Sequence, residues 1–191
     1  GGTDRCRPNQ TSGQRPDQHL AFDMVPGPPA DLPESQRGHG DLLTRYEDIA
    51  EDGRMGLRPL SHALGAALWR DVLGKHPLAR SFGRDEIVPI LSRLVIECGG
   101  GPISVRGSVR CDGAFALARA VDGRGEPRFR LDMWASITGP RDRTWGPKIA
   151  GAGEPTPIGA LYAEHVLTRP FGAPERRKVT TLPAMGASVM Q

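Results

Sequence analysis

Apolar residues in the middle of this chain recur with two different periods, and the change between them predicts its elements. Leu60, Ala63, Leu64, Ala67, Leu68 and Val72 follow one another at short helical spacings, which lays them along one stripe of an α-helix. Pro59 suits the first helical position, where its missing N–H is no loss, and Gly74 reads as the stop. The opposite face, with Ser61, Gly65, Ala66 and Arg70, is small or polar. Ahead of the helix, residues 42–49 read as a strand.

After the helix the period becomes two. Residues 87–97 are rich in Ile, Val and Leu, and Pro89 predicts an edge strand or a bulge near their start. Ile103, Val105, Val109 and Cys111 alternate with polar residues up to Asp112-Gly113, a hairpin signal. Phe115, Leu117 and Val121 alternate on the return strand, and residues 122–125 turn the chain again. Phe129, Leu131, Met133, Ala135 and Ile137 then alternate with Arg128, Arg130, Asp132, Trp134 and Ser136. A strand, a helix and an antiparallel meander of long strands predict an α+β domain whose helix and one sheet face bury each other.

Glycine and proline divide the chain into three. Of the 43 in the chain, residues 1–40 hold 12 and residues 141–191 another 12. The expected organisation is an irregular N-terminal arm over 1–40, a domain over 41–140 and an irregular C-terminal extension over 141–191. Leu20, Phe22, Met24 and Val25 are the residues through which the first arm would dock. The extension offers one short helical candidate, residues 158–167.

Charge removes one class of function. The 22 arginines against 3 lysines reflect a compositional skew, and the net charge of +3 is spread thinly. Arg176-Arg177-Lys178 is the one basic run, far from the basic face of a nucleic-acid binder. No apolar run approaches the roughly 18–20 residues that cross a bilayer, and no basic-then-apolar leader opens the chain. Three cysteines, Cys6, Cys98 and Cys111, make no disulfide framework and have no metal-ligand spacing. The expectation is a soluble, cytoplasmic protein with no metal, no cofactor, no nucleic acid and no membrane among its partners.

One stretch carries a likeness. The run from Thr44 to Leu60, with Tyr46, Glu47 and Asp48 followed by Asp52-Gly53-Arg54-Met55-Gly56-Leu57-Arg58-Pro59, resembles the start of hotdog-fold acyl-thioesterases, most closely the acyl-ACP thioesterase branch. The helix through Trp69 and Leu73 and the strand from Ile90 to Glu97 fit the same pattern, over about half the chain. The resemblance implies a hotdog domain, an antiparallel sheet wrapped around one long helix. It also implies a homodimer with joined sheets, an acyl site at the subunit interface, and CoA or acyl carrier protein as the carrier of the substrate. Two departures stand out. The Asp-x-Asp pair of related enzymes here reads Asp48-Ile49-Ala50, and no His-Phe-Pro-Gly motif of the hotdog dehydratases is present.

Thioester hydrolysis needs an attacking water or carboxylate and donors for the developing oxyanion. Asp48, Glu51 and Asp52 precede the helix, whose first N–H groups face the same region; Gly53 permits close approach, and His62 could serve as acid or base. Asp48, Asp52 and His62 are therefore the catalytic candidates. Gly53, Arg54, Trp69, Ser92 and Arg93 are the candidates for substrate contact, the last two at the centre of the sheet. An apolar tunnel between helix and sheet would be lined by Leu64, Leu68, Leu94 and Phe115. Each residue also has a plain reading: solvated carboxylates, a turn glycine, a core tryptophan, a partly buried histidine. Three functions fit: a hydrolase of acyl-ACP or acyl-CoA in polyketide or fatty-acid-type biosynthesis; a hotdog cyclase, dehydratase or isomerase on a polyketide-like intermediate; and a non-catalytic acyl- or small-molecule-binding protein.

Overall fold

The computed structural model describes residues 24–182. Leu20 and Phe22, expected to dock the first arm, lie outside that range. Five strands form one antiparallel sheet: β1 (Arg37–Leu43), β2 (Val88–Cys98), β3 (Ser108–Val121), β4 (Pro127–Pro140) and β5 (Pro155–Thr168), in the order β1-β3-β4-β5-β2. Between β1 and β2 run two helices, α1 (Leu57–Ala63) and α2 (Pro77–Arg84). From α1 the chain continues through a π-helical stretch, Leu64–Val72, and a 3-10 turn, Leu73–Lys75. Residues 57–75 are thus one central helix, and the sheet wraps it. This is the hotdog fold.

The helical stripe is the reason for the wrap. Leu60, Ala63, Ala67, Leu68 and Leu73 are wholly buried, packed on Cys111, Phe115 and Leu117 of β3, on Leu131 and Met133 of β4, and on Leu161 and Ala163 of β5. Each leucine withdrawn from water in this way contributes about 2 kcal/mol. Leu68 and Phe115 lie inside this closed core rather than along a tunnel, and Leu94 is exposed on β2.

Several boundaries differ from the sequence expectation. β1 begins and ends earlier than residues 42–49, and residues 46–48 form a 3-10 turn. Pro59 sits at the third helical position, with Leu57 first. Asp112-Gly113 is no hairpin: both lie within the continuous strand β3. Gly113 is there for space, because a Cβ on it would stand 2.3 Å from Leu68 Cδ2. The turn at 122–125 does form, closed by Asp122, which accepts the backbone N–H groups of Arg124 (2.9 Å) and Glu126 (3.0 Å).

The largest correction concerns residues 141–191. β5 occupies the helical candidate at 158–167 and lies between β4 and β2. Its apolar residues satisfy both a helical spacing and a period of two, and long-range pairing with β4 and β2 selects the strand. The sheet therefore extends beyond residue 140, and its first strand begins at Arg37 rather than at 42. Cys111 is a free thiol in the core, its pKa pushed up to about 12 by burial, and Cys98 is half-buried against the same core.

The other face of the sheet is also covered. A strap over residues 24–36 crosses it, with Val25 and Leu32 packed on Ala114, Ala116, Trp134 and Tyr162. The Met24 N–H donates to Glu97 Oε2 (2.9 Å), and the Arg37 guanidinium donates to the carbonyls of Leu32 (3.2 Å) and Pro29 (3.1 Å). Val25 thus docks as expected, while Met24 is exposed and held through its backbone.

Candidate active site

Between β1 and α1 the chain folds into a small ear. The Arg45 N–H donates to Asp48 Oδ2 (2.8 Å), which closes the 3-10 turn at Tyr46–Asp48. A bridge between Ile49 and Met55 and a hydrogen bond from the Ala50 N–H to the Arg54 carbonyl (2.8 Å) fold the next residues back. At its tip Gly53 has φ +82°, and a Cβ there would stand 2.4 Å from Pro102. A glycine is required by both facts. Asp52 turns inward on its own loop, where Oδ1 accepts the Arg54 N–H (3.0 Å) and Oδ2 lies 3.7 Å from Arg54 Nε.

The ear separates two cavities. The first, about 440 Å³, is walled by Arg45, Asp48, Ala50, the start of α1 from Gly56 to Pro59, and His62. The second, about 600 Å³, holds Asp52 and Gly53 together with Tyr46, Pro102, Arg143 and Trp145. The structure therefore brings Asp48 and His62 together and sets Asp52 apart from them. Ile49, Ala50 and Glu47 line both cavities.

The helix start matters chemically. No side chain caps α1, and Pro59 has no N–H to offer. The N–H groups of Leu57 and Arg58 are among those that an α-helix leaves without an internal partner. They open the first cavity with a partial positive charge. The Asp48 carboxylate, the His62 imidazole and the first residues of α1 thus line one concave space.

The remaining candidates lie elsewhere. Trp69 is half-buried against the core and meets His165 edge-on, with ring centroids 5.3 Å apart. Ser92 and Arg93 are exposed on β2, an edge strand, and not at the sheet centre. The Ser92 hydroxyl donates to the Glu164 carbonyl (3.0 Å), and Arg93 lies 3.4 Å from the Glu164 carboxylate. Both belong to β2–β5 pairing, and the register shift between Leu91 and Arg93 is the bulge foreshadowed by Pro89. Glu164 also accepts the Tyr162 hydroxyl (3.0 Å) and faces Arg130, which pairs with the buried Asp132 at 2.6 Å. Burial holds that Asp132 carboxyl above its usual range.

Sequence reasoning did not bring Tyr46, Arg143 and Trp145 together; all three line the second cavity. Trp145 is exposed in the loop between β4 and β5, with the Arg106 guanidinium 5.3 Å from its ring centroid. Nothing periodic marks a loop residue some ninety positions from the ear that it faces. Among the described residues, no group of three or more His, Cys, Asp or Glu side chains is arranged to hold a metal ion, and no helix is long and apolar enough to cross a membrane.

No family model matches the sequence, and no curated protein sequence does. Solved structures similar to the chain include a 1,4-dihydroxy-2-naphthoyl-CoA thioesterase from Synechocystis, 13% identical, with TM-score 0.47, covering 80% of this chain and 94% of that one. A thioesterase-superfamily protein from Jannaschia sp. CCS1 is 12% identical, with TM-score 0.48, over 87% of this chain and 95% of that one. The Dynemicin thioesterase is 13% identical, with TM-score 0.49, over 80% and 96% of the respective chains.

Proposed function

We propose that this protein hydrolyses acyl thioesters in the cavity between the ear and the start of α1. The observation that carries the reading is the meeting of Asp48, His62 and an uncapped helix start in one cavity of about 440 Å³. In this account the thioester carbonyl lies against the N–H groups of Leu57 and Arg58. Asp48 takes a proton from water as the water oxygen bonds to the carbonyl carbon. The oxyanion that forms is held by the two donors, the C–S bond then breaks, and the proton that Asp48 took passes through His62 to the departing thiolate, which leaves both side chains as they began. Donors fixed before the reaction act where charge develops, which is the largest source of catalysis in acyl transfer.

The carrier of the acyl group is CoA or an acyl carrier protein, and polyketide or fatty-acid-type biosynthesis is the setting that the sequence resemblance suggests. The active form in this reading is a homodimer. Ile90 and Leu91 are 49% and 46% exposed on β2, whose outer edge has no strand beside it among the described residues. An exposed apolar edge of this kind favours pairing with a second copy.

A second reading rests on Ala50. It lines the cavity at the position where the resemblance leads one to expect an acid, so a hotdog cyclase, dehydratase or isomerase could use the same space without hydrolysis. Incubating the protein with acyl-CoA and acyl-carrier thioesters of graded chain length, and following free thiol with a chromogenic reagent, separates the two. Thiol release supports the hydrolase; conversion of the acyl group without thiol release supports the second reading.

A further inference from the structure

We propose that the loop following β5 docks the protein on an anionic lipid surface, with Phe171 as the inserted side chain and three arginines around it. The loop is a closed hairpin. Thr168 bridges to Lys178, the Arg169 N–H donates to the Arg177 carbonyl (2.9 Å), and the Gly172 N–H donates to the Arg169 carbonyl (3.3 Å). Phe171 stands in the turn so formed and is 88% exposed, more than any other large apolar residue described. Neither core cluster includes it.

The charge around the ring is positive and uncompensated. Arg169 and Arg177 donate to neutral acceptors, the carbonyls of Asp85 (3.1 Å) and Gly172 (3.2 Å). The Arg176 Cβ lies against Gly172, 3.6 Å from where a Cβ on that glycine would stand. Among the described residues no carboxylate pairs with these three arginines, and Glu175 is the one acidic residue of the loop. Lys178 is committed to Asp122 and Glu126. At the foot of the loop Arg84 ends α2, 3.9 Å from the Asp85 carboxylate, and Glu86 follows, so the excess of positive charge lies in the loop itself. The basic run at Arg176 and Arg177 thus stands beside an exposed aromatic ring.

A lone ring among arginines suits a lipid surface better than a protein. A stable protein interface covers about 800 Å² on each partner and is built on a cluster of buried anchors. Phe171 has only Pro170, half-buried, and Gly172 beside it in the chain. A bilayer interface accepts a single aromatic ring at its acyl boundary and draws arginines to its anionic headgroups. A side chain that only dips into the surface needs no membrane-spanning run, the feature whose absence led the sequence to predict no membrane partner. The loop is tied to the end of α2 through Arg169 and shares no residue with the cavities beside the ear. Docking here does not depend on thioester hydrolysis.

The test is sedimentation of the purified full chain with vesicles of phosphatidylcholine, alone and with about one-third phosphatidylserine. The expected result is binding to the anionic vesicles only, released by about 0.5 M salt. Phe171→Ala weakens it about tenfold, and Arg176→Ala combined with Arg177→Ala by a similar factor. Unfolding midpoints stay unchanged, because all three residues are exposed. Arg143→Ala, in the loop at the other end of β5, leaves the binding unaltered. No sedimentation with anionic vesicles at low salt overturns the proposal, as does equal binding to neutral ones. So does binding that survives Phe171→Ala, which is adsorption by charge alone, or that falls as far in Arg143→Ala, which is diffuse charge. Retention on poly-glutamate without vesicle binding assigns the loop to an acidic protein and overturns it too.

Discussion

The indole of Trp69 meets the imidazole of His165 edge-on, with the ring planes at 87° and the centroids 5.3 Å apart. This contact joins the π-helical stretch of the central helix to β5. His165 is 4% exposed, and its Nδ1 is buried without a hydrogen-bond partner. Burial lowers its pKa from the ordinary value, against the opposing pull of a hydrogen bond to Leu131 and of the Asp132 charge.

A depressed histidine pKa means that the unfolded chain binds the proton more readily. The stability associated with neutral His165 is therefore complete above the ordinary value of about 6.5 and is lost as pH falls through the lower folded value. Urea unfolding at pH 7.5 and at pH 5 should show a loss of stability in the wild type. His165→Gln should reduce that loss; an equal loss in both proteins would exclude His165 as its source.

Gly113 and Gly65 make an opposed pair. Gly113→Ala drives a Cβ into the fully buried Leu68 and should destabilise the fold by about 1–3 kcal/mol. Gly65 lies on the exposed side of the central helix with nothing within 4 Å of a Cβ, so Gly65→Ala should stabilise by up to about 1 kcal/mol. Midpoints of chemical unfolding check both signs.

Asp122 ties the β3–β4 turn to the chain beyond β5. Backbone donors from Glu126 and Arg124, with Arg128 and Lys178 nearby, lower its carboxyl to about 2. Stability from this group is present above the unfolded value of about 3.9 and is lost as pH falls towards 2. Asp122→Asn should lower the thermal midpoint at neutral pH and flatten the acid limb between pH 4 and 2. An unaltered midpoint would show that the clasp contributes nothing.

Gly53→Ala probes the ear. A positive φ costs a non-glycine residue about 1–2 kcal/mol, and the contact with Pro102 adds to it. The expected result is reduced stability and a larger fractional loss of thioester turnover, because the ear positions Asp48. Turnover that falls only in proportion to the folded fraction would separate the ear from the site.

Much of this was written in the sequence as local pattern. The stripe from Leu60 to Val72 needed only helical spacing, and the alternation through β4 needed only a period of two. Where several structures fit the same local signal, the sequence was silent. Asp112-Gly113 carries turn chemistry, yet its place in β3 follows from a clearance under Leu68 that no local window contains. β5 is ambiguous until β4 and β2 flank it. Asp48 and His62 were legible because a short loop and one helical turn bring them together. Trp145 was not, because only the folded β4–β5 loop carries it to the ear.

The account turns on Asp48 acting within the cavity that it shares with His62. The direct measurement is thiol release from the best acyl thioester by wild type, Asp48→Asn and His62→Ala, with unfolding curves recorded on the same samples. The expected result is release by the wild type, with kcat lowered about 100-fold or more in each variant at unchanged stability. Wild-type rates in both variants, or no release by the wild type above background across all chain lengths and both carriers, would contradict it.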